Sequence, residues 1–347
     1  MKTAKELGMK SVCITGVCGQ TGSYLAELLL DQGFEVWGLK RSASNFNTQR
    51  VDHIYDNPKF HLVYGDLSDY SSLVSFVKKA KPDLFFNCGA LSHVKVSYDI
   101  PEYAADVTGT GVIRCLEAIR AFNPKIRFLQ CSTSELFGDT SPPQKENSRF
   151  SPQSPYACAK LAGYWFTVNY RKGYDMFAVN SIAFNHEGPR RPENFVTRKI
   201  TRAATRIKLG LQDKLVLGNL DAKRDWGHAK DTARALYMIL TADKPEDFVV
   251  ATGKMYSVKE FLELTFGKLN LNWKDYVEFN PKYLRPAEVD ALCGDATKIK
   301  NTLGWEPEIS FEQLVDEMID HDLKLAQNEK NIITWEKVIE ENTYDKS

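Results

Sequence analysis

SVCITGVCGQTGSYLAELLLDQG, residues 11 to 33, holds an apolar run from Ser11 to Thr15, a turn punctuated by Gly16, Gly19 and Gly22, and a helically spaced segment that stops at Gly33. A strand, a glycine turn and a helix in that order aim backbone N–H groups and a helix N-terminus at a diphosphate. An ordinary strand-to-helix turn uses glycine too, so the weight falls on the remainder of the chain. Further strands are expected at Glu35 to Leu39, His61 to Leu67, Asp83 to Ala90, Ile126 to Cys131 and Phe177 to Phe184, with helices ending near Lys79, Phe122 and Tyr170 between them. This alternation predicts an α/β fold, a doubly wound parallel sheet of Rossmann type, with ligands at the carboxyl ends of the strands. Phe248 to Gly253 reads as one more strand, returning to the same sheet.

The ends of the predicted strands carry the cofactor reading. Lys40 and Arg41 stand where an NAD site would place an acid, and a cation there suits a 2′-phosphate, so NADP is expected. A solvated basic loop accounts for Lys40 more readily than for Arg41. Asp66 comes after the third strand and can accept from an adenine amine, while Gly89 and Ala90 are small where a ribose would pass close to backbone. Each of these has a packing alternative; their shared position after successive strands is the argument.

Chemistry is expected in CSTSELFG, residues 131 to 138, and SPYACAK, residues 154 to 160. Thr133, Ser134 and Glu135 supply two hydroxyls and a carboxylate in succession. Tyr156 and Lys160 lie four apart, on one helix face. An ammonium beside a phenol favours the phenolate, and a phenolate can take a proton from a sugar hydroxyl while a hydride leaves the same carbon.

The chain has 347 residues, enough for one large domain or two, and Lys+Arg equals Asp+Glu at 45 each. No global field therefore draws it to nucleic acid or an acidic membrane, and an anionic ligand needs local cations. These occur in three places after the sixth strand: Arg190, Arg191, Arg198, Lys199 and Arg202; residues 220 to 231, with Lys223 and Arg224; and residues 283 to 291, with Arg285. Separated basic segments are what a diphosphate would need, although Arg202 and Lys223 also fit a solvated face. The pattern change divides the chain into an NADP-binding domain, 9–186 with 222–255, and a smaller carboxyl-terminal α/β substrate domain, 187–221 with 256–329. The tail reads as a short helix, a Gly-Trp turn and a final amphipathic helix whose polar residues after Glu329 are expected to fray. Seven cysteines, an odd number, argue for reduced thiols and a cytoplasmic location. No metal-ligand spacing occurs, and neither a signal peptide nor a membrane span is expected.

GQTGSYLAELLL, YGDLSD, STSELFG, SPYACAK, FNHEGPRR, NFVTRK, GNLDAKRDWGHAKD and RPAEVD together are far more specific than a glycine turn. Through them the chain resembles the GDP-mannose 4,6-dehydratases of the extended short-chain dehydrogenase/reductase group, from Gly16 to about Trp305. The strict G-x-x-G-x-x-G spacing also matches that group, and Ser134 stands where the similar dTDP-glucose dehydratases carry Asp.

The resemblance implies a hydro-lyase that makes a 4-keto-6-deoxy sugar, with Thr133, Ser134, Glu135, Tyr156 and Lys160 at work. It implies NADP held by Gly16, Val17, Cys18, Gly19, Gln20, Thr21, Gly22, Arg41, Asp66, Leu67, Cys88, Gly89, Ala90, Leu91, Ser92, Tyr103, His186 and Arg191, with Tyr156 and Lys160 touching it. A GDP-sugar, GDP-mannose first among them, would fall to Asn185, Val196, Lys199, Gly218, Arg224, Arg285 and Glu288, with Ser92 and Glu135 shared. A homodimer or homotetramer is implied, with the loop from Arg41 to Arg50 reaching toward a neighbouring cofactor site. The chain departs from the family pattern at Thr21 (usually Asp), Ser42 (Arg), Leu91 (Gln) and Gly188 (Ser). A GDP-heptose dehydratase, a GDP-4-keto-sugar reductase or epimerase, and a non-catalytic NADP-binding regulator are the alternatives.

Overall fold

A computed structural model describes the backbone of residues 1–344 and the side chains of residues 1–335. Seven strands form one parallel sheet: β1 (Ser11–Thr15), β2 (Glu35–Lys40), β3 (Phe60–Tyr64), β4 (Leu84–Asn87), β5 (Arg127–Cys131), β6 (Ala178–Ala183) and β7 (Phe248–Val250). Their spatial order is β7-β6-β5-β4-β1-β2-β3. The chain runs outward from β1 through β2 to β3, then returns to the other side of β1 for β4. That reversal opens a crevice beyond the carboxyl ends of β1 and β4, the position where such sheets bind ligands.

The expected alternation is present, with shorter strands. β4 stops at Asn87 because the Gly89 N–H is donated to the Thr15 hydroxyl (3.0 Å) instead of to a ladder. Helices α1 (Gln20–Asp31), α2 (Tyr70–Ala80), α3 (Gly111–Phe122) and α4 (Pro155–Gly173) connect the strands. The stretch before α3 is broken into short turns at Val94–Asp99 and Pro101–Ala105 and a wide turn at Asp106–Thr110. Pro101 lacks the N–H that a continuous helix would need there.

Both faces of the sheet are covered. One apolar cluster includes Ile14, Leu25, Leu29, Phe86 and Leu236, the last from α6 (Ala229–Leu240). The other includes Cys13, Phe76, Phe85, Leu116 and Phe128. A third cluster lies in the carboxyl-terminal half, on α5 (Val196–Lys208), α7 (Val258–Lys268) and α8 (Phe311–Tyr344), around Trp226, Phe261, Phe311 and Met318. The residues after Glu329, expected to fray, are helical in α8 through Tyr344; residues 345–347 lie outside the described residues. No helix among the described residues is long and apolar enough to cross a membrane.

Candidate active site

Close backbone approach explains the glycine turn. A Cβ on Gly16 would lie 2.9 Å from the Gly89 Cα, and one on Gly22 would lie 2.3 Å from the Gly16 carbonyl oxygen. Only glycine lets β1, α1 and the end of β4 meet this tightly. Gly19 caps α1 without any side-chain hydrogen bond, so the first N–H groups of a twelve-residue helix point into the crevice. The neighbouring Gln20 side chain donates to the His186 carbonyl (2.8 Å), but its buried Oε1 has no partner among the described residues. These features fit the diphosphate of a dinucleotide.

Several expected cofactor residues are drawn together around that turn. Arg41, exposed, donates to the Tyr103 hydroxyl (3.1 Å). Asp66 uses one carboxylate oxygen to hold Ser68 and keeps the other free of any donor among the described residues. Thr21 meets His186 Nε2 at 2.7 Å, while His186 Nδ1 lies 2.9 Å from the Phe184 carbonyl. A carbonyl only accepts, so the proton is on Nδ1 and the Thr21 hydroxyl donates to Nε2. Val17 and Leu67 turn their side chains into the two core clusters and can meet a ligand only through backbone. Cys18 and Ala90 are half-buried beside the crevice, Leu91 donates its N–H to the Thr108 hydroxyl (3.1 Å), and Ser92 is exposed. Lys40, allowed a solvated reading, lies over the Tyr64 ring at 4.4 Å.

Thr133, just past β5, accepts from the Glu135 N–H (3.2 Å), closing a single tight turn over Ser134–Leu136. Thr133, Ser134 and Glu135 are all buried. Ser154 caps α4 by accepting from the Ala157 N–H (3.1 Å), and Pro155 begins that helix, which presents Tyr156 and Lys160 to the same crevice. Burial pushes the Tyr156 phenol up to about 12, against smaller opposing pulls from the Thr133 hydroxyl and Arg191. Lys160, expected to favour the phenolate, donates its ammonium to the Cys131 carbonyl (2.6 Å) and lies over the tyrosine ring, 5.9 Å from its centre.

Cations face the acid from the carboxyl-terminal half. Arg285 lies 3.4 Å from Glu135, and the buried Arg224 donates to the Val289 carbonyl (2.8 Å) and lies 3.5 Å from Glu288. Lys199 donates to the Val216 carbonyl (2.7 Å) and lies 4.0 Å over the Tyr283 ring, in a groove of about 330 Å³. A Cβ on Gly218 would come within 2.9 Å of the Tyr283 backbone. Val196 begins α5 and packs toward the carboxyl-terminal cluster; Asn185 pairs with Trp226 in a short parallel ladder.

Not every cation of the basic segments belongs here. Arg198 is buried against Asp322, Arg190 pairs with Glu27, and Arg202 pairs with Glu193. Arg191 is held by Glu187 (2.9 Å) over the Phe195 ring, on the crevice side. Sequence reasoning missed a buried chain beneath the site: Thr15 to Asn87 (2.6 Å), Asn87 to Gln130 (2.7 Å), and Gln130 to the Cys131 carbonyl that also holds Lys160 (3.1 Å). It missed His93 as well, its ring tilted against that of Phe195 with centres 5.2 Å apart. Strand interiors offer no signal for the first; Ser92 and His93 adjoin in sequence, which could have found the second.

A sequence model of the family described as GDP-mannose 4,6 dehydratase matches residues 13–318. The chain is 54% identical over 334 residues to GDP-mannose 4,6 dehydratase 2 of Arabidopsis thaliana, covering 93% of this chain and 90% of that one. It is 48% identical over 344 residues to GDP-mannose 4,6 dehydratase of Homo sapiens, covering 92% of each. Among solved structures, the dTDP-glucose 4,6-dehydratase of Bacillus anthracis in complex with NAD superposes with a TM-score of 0.80 at 23% identity, covering 91% of this chain and 97% of that one.

Proposed function

The chain belongs to the GDP-mannose 4,6-dehydratase family, and from that premise we propose that it converts GDP-mannose to GDP-4-keto-6-deoxymannose by dividing the labour among its own residues. The observation that carries the reading is one buried acid, Glu135, set at the end of β5 beside Thr133 and Tyr156 and faced by Arg285. A carbohydrate can lie between the phenol and the carboxylate while its diphosphate reaches the cations.

A bound nicotinamide ring supplies an acceptor for the hydride leaving carbon 4, a positive charge beside the phenol, and the same hydride for carbon 6. Tyr156 takes the proton of the 4-hydroxyl, and Thr133 hydrogen-bonds the 4-oxygen to orient the sugar. The resulting ketone acidifies the hydrogen on carbon 5, which Glu135 removes. Water then leaves carbon 6 with a proton from Glu135, which the buried Ser134 helps convey, and carbon 5 is reprotonated by the Tyr156 phenol, which held the proton of the 4-hydroxyl. Lys160, fixed on the Cys131 carbonyl, holds a positive charge beneath the reacting groups.

Arg224 and Arg285 bind the diphosphate, and the groove around Lys199, Gly218 and Tyr283 takes the nucleoside. Substrate binding draws Arg285 from its contact with Glu135 to the diphosphate. The cofactor is NADP: Arg41, exposed and held only by the Tyr103 hydroxyl among the described residues, can turn to a 2′-phosphate, and no acid stands in its place at the end of β2. The enzyme works in the cytoplasm, a reading supported by seven free cysteines. It assembles as a homodimer or homotetramer through the loop from Arg41 to Arg50, whose Phe46 is 93% exposed.

Glu135→Gln tests the assignment. It keeps the shape of the side chain and removes the base, so product formation from GDP-mannose should fall below detection while the purified variant still carries nicotinamide dinucleotide. Normal turnover by that variant would remove Glu135 from the carbon-5 step.

A further inference from the structure

Cys88 and Cys131 stand side by side where β4 and β5 end. Asn87 is paired with Gln130 in the parallel ladder, so the two cysteines are the next residues along each strand, and their sulfurs are 3.1 Å apart. Both are free thiols, and both are half-buried. A disulfide has a sulfur separation near 2.05 Å and tolerates Cα separations of about 4.4–6.8 Å. Adjacent strands lie about 4.8 Å apart, so closure by about 1 Å at the sulfurs requires no change of strand register.

We propose that Cys88 and Cys131 are a redox modification site, forming a reversible disulfide in the floor of the cofactor crevice. The oxidant is a peroxide. One thiolate attacks it, the O–O bond breaks, and a sulfenic acid forms with release of water. The second thiol then attacks that sulfur, the S–S bond forms, and a second water leaves. Two thiols have lost two electrons and two protons, and one peroxide has become two waters. A dithiol reductant reverses the change.

The Cys131 contact and burial hold the Cys88 thiol high, and the charge of Lys160 pulls it the other way. The bridge matters because of what each cysteine adjoins. Cys88 precedes Gly89, which packs against Gly16 of the diphosphate turn, and the carbonyl of Cys131 accepts from Lys160. Drawing the strand ends together shifts both the cofactor wall and the lysine.

The test uses the full chain, stoichiometric hydrogen peroxide and a readout separate from turnover. Peptides are mapped by mass without reduction, and binding of reduced nicotinamide dinucleotide is monitored by its fluorescence. A peptide pair joined through Cys88 and Cys131, lighter by two hydrogens, is expected, with dinucleotide affinity weakened about tenfold, a usual size for coupling between two sites. Dithiothreitol should restore it. Cys131→Ser, compared with its own untreated affinity, should be insensitive, whereas Cys158→Ser, which removes an exposed thiol, should respond as the unaltered chain does. Absence of the linked pair, a linked pair with unchanged affinity, or equal sensitivity in Cys131→Ser would overturn the proposal. None of these outcomes depends on GDP-mannose being the substrate.

Discussion

At the scale of single residues the site is governed by burial. As the proposed base, Tyr156 has to lose a proton in surroundings that push its phenol to about 12, and a nicotinamide's positive charge would help it do so. Tyr156→Phe should therefore lower kcat by about 10²–10⁴ without loss of bound dinucleotide, measured as product formed per chain. His186 is a second case. Burial first, and Arg191 second, move its imidazole from 6.5 to about 4, and its neutral form is fixed between Phe184 and Thr21. The folded protein binds this proton less readily than the unfolded chain does. The contribution to stability is thus complete above about pH 6.5 and is lost as the pH falls toward 4. His186→Gln should flatten that part of a urea-midpoint profile; an unchanged slope would show that other groups set it. The names of the candidate catalytic residues were legible in two short strings of sequence. The acceptor chosen by Lys160 was not, because a backbone carbonyl three-dimensionally adjacent to an ammonium leaves no mark in the order of residues.

Among elements, α8 shows how much of the basic character serves architecture. Arg198 on α5 and Asp322 on α8 meet at 2.8 Å with side chains only 5% and 0% exposed, and Thr201 donates to the same carboxylate. Breaking a buried pair leaves one charge uncompensated, so Asp322→Ala should destabilise the chain by about 3–5 kcal/mol in urea unfolding. Replacing both partners by apolar residues of similar volume, Arg198→Met with Asp322→Leu, should recover most of that loss. A small effect of Asp322→Ala would mean that water reaches the guanidinium. Sequence grouped Arg198 with diphosphate-binding cations because charge density says nothing about which face of a helix a side chain occupies. The glycine turn was more legible, since helix and strand periodicities flank it on both sides. Gly22→Ala would set a methyl group 2.3 Å from the Gly16 carbonyl oxygen. It should abolish retention of dinucleotide through purification, with the loss read from absorbance.

Across the whole molecule, the order of strands places the carboxyl ends of β1, β4 and β5 beside one another, although many residues separate them in the chain. Glycine turn, Cys88 and Thr133 become one crevice for that reason. Alternating strands and helices made the doubly wound sheet readable, and the return of β7 beside β6 was readable too. Less readable was the carboxyl-terminal half, whose strands of two or three residues give too few alternating positions for a period to show. We retain its division from the sheet as a proposal, supported by the separate apolar cluster around Trp226 and Phe311. On the proposed reading the two halves divide the chemistry as well: one holds the dinucleotide, the other brings cations to the acid of the first.

On the proposed mechanism a hydride leaves the sugar and returns to it two carbons away while water is lost. GDP-mannose carrying deuterium on carbon 4, incubated with the purified protein in ordinary water, tests it most directly. A product lighter by one water, with the deuterium retained on carbon 6, is expected. Deuterium lost to solvent, or a product that has lost no water, would contradict it.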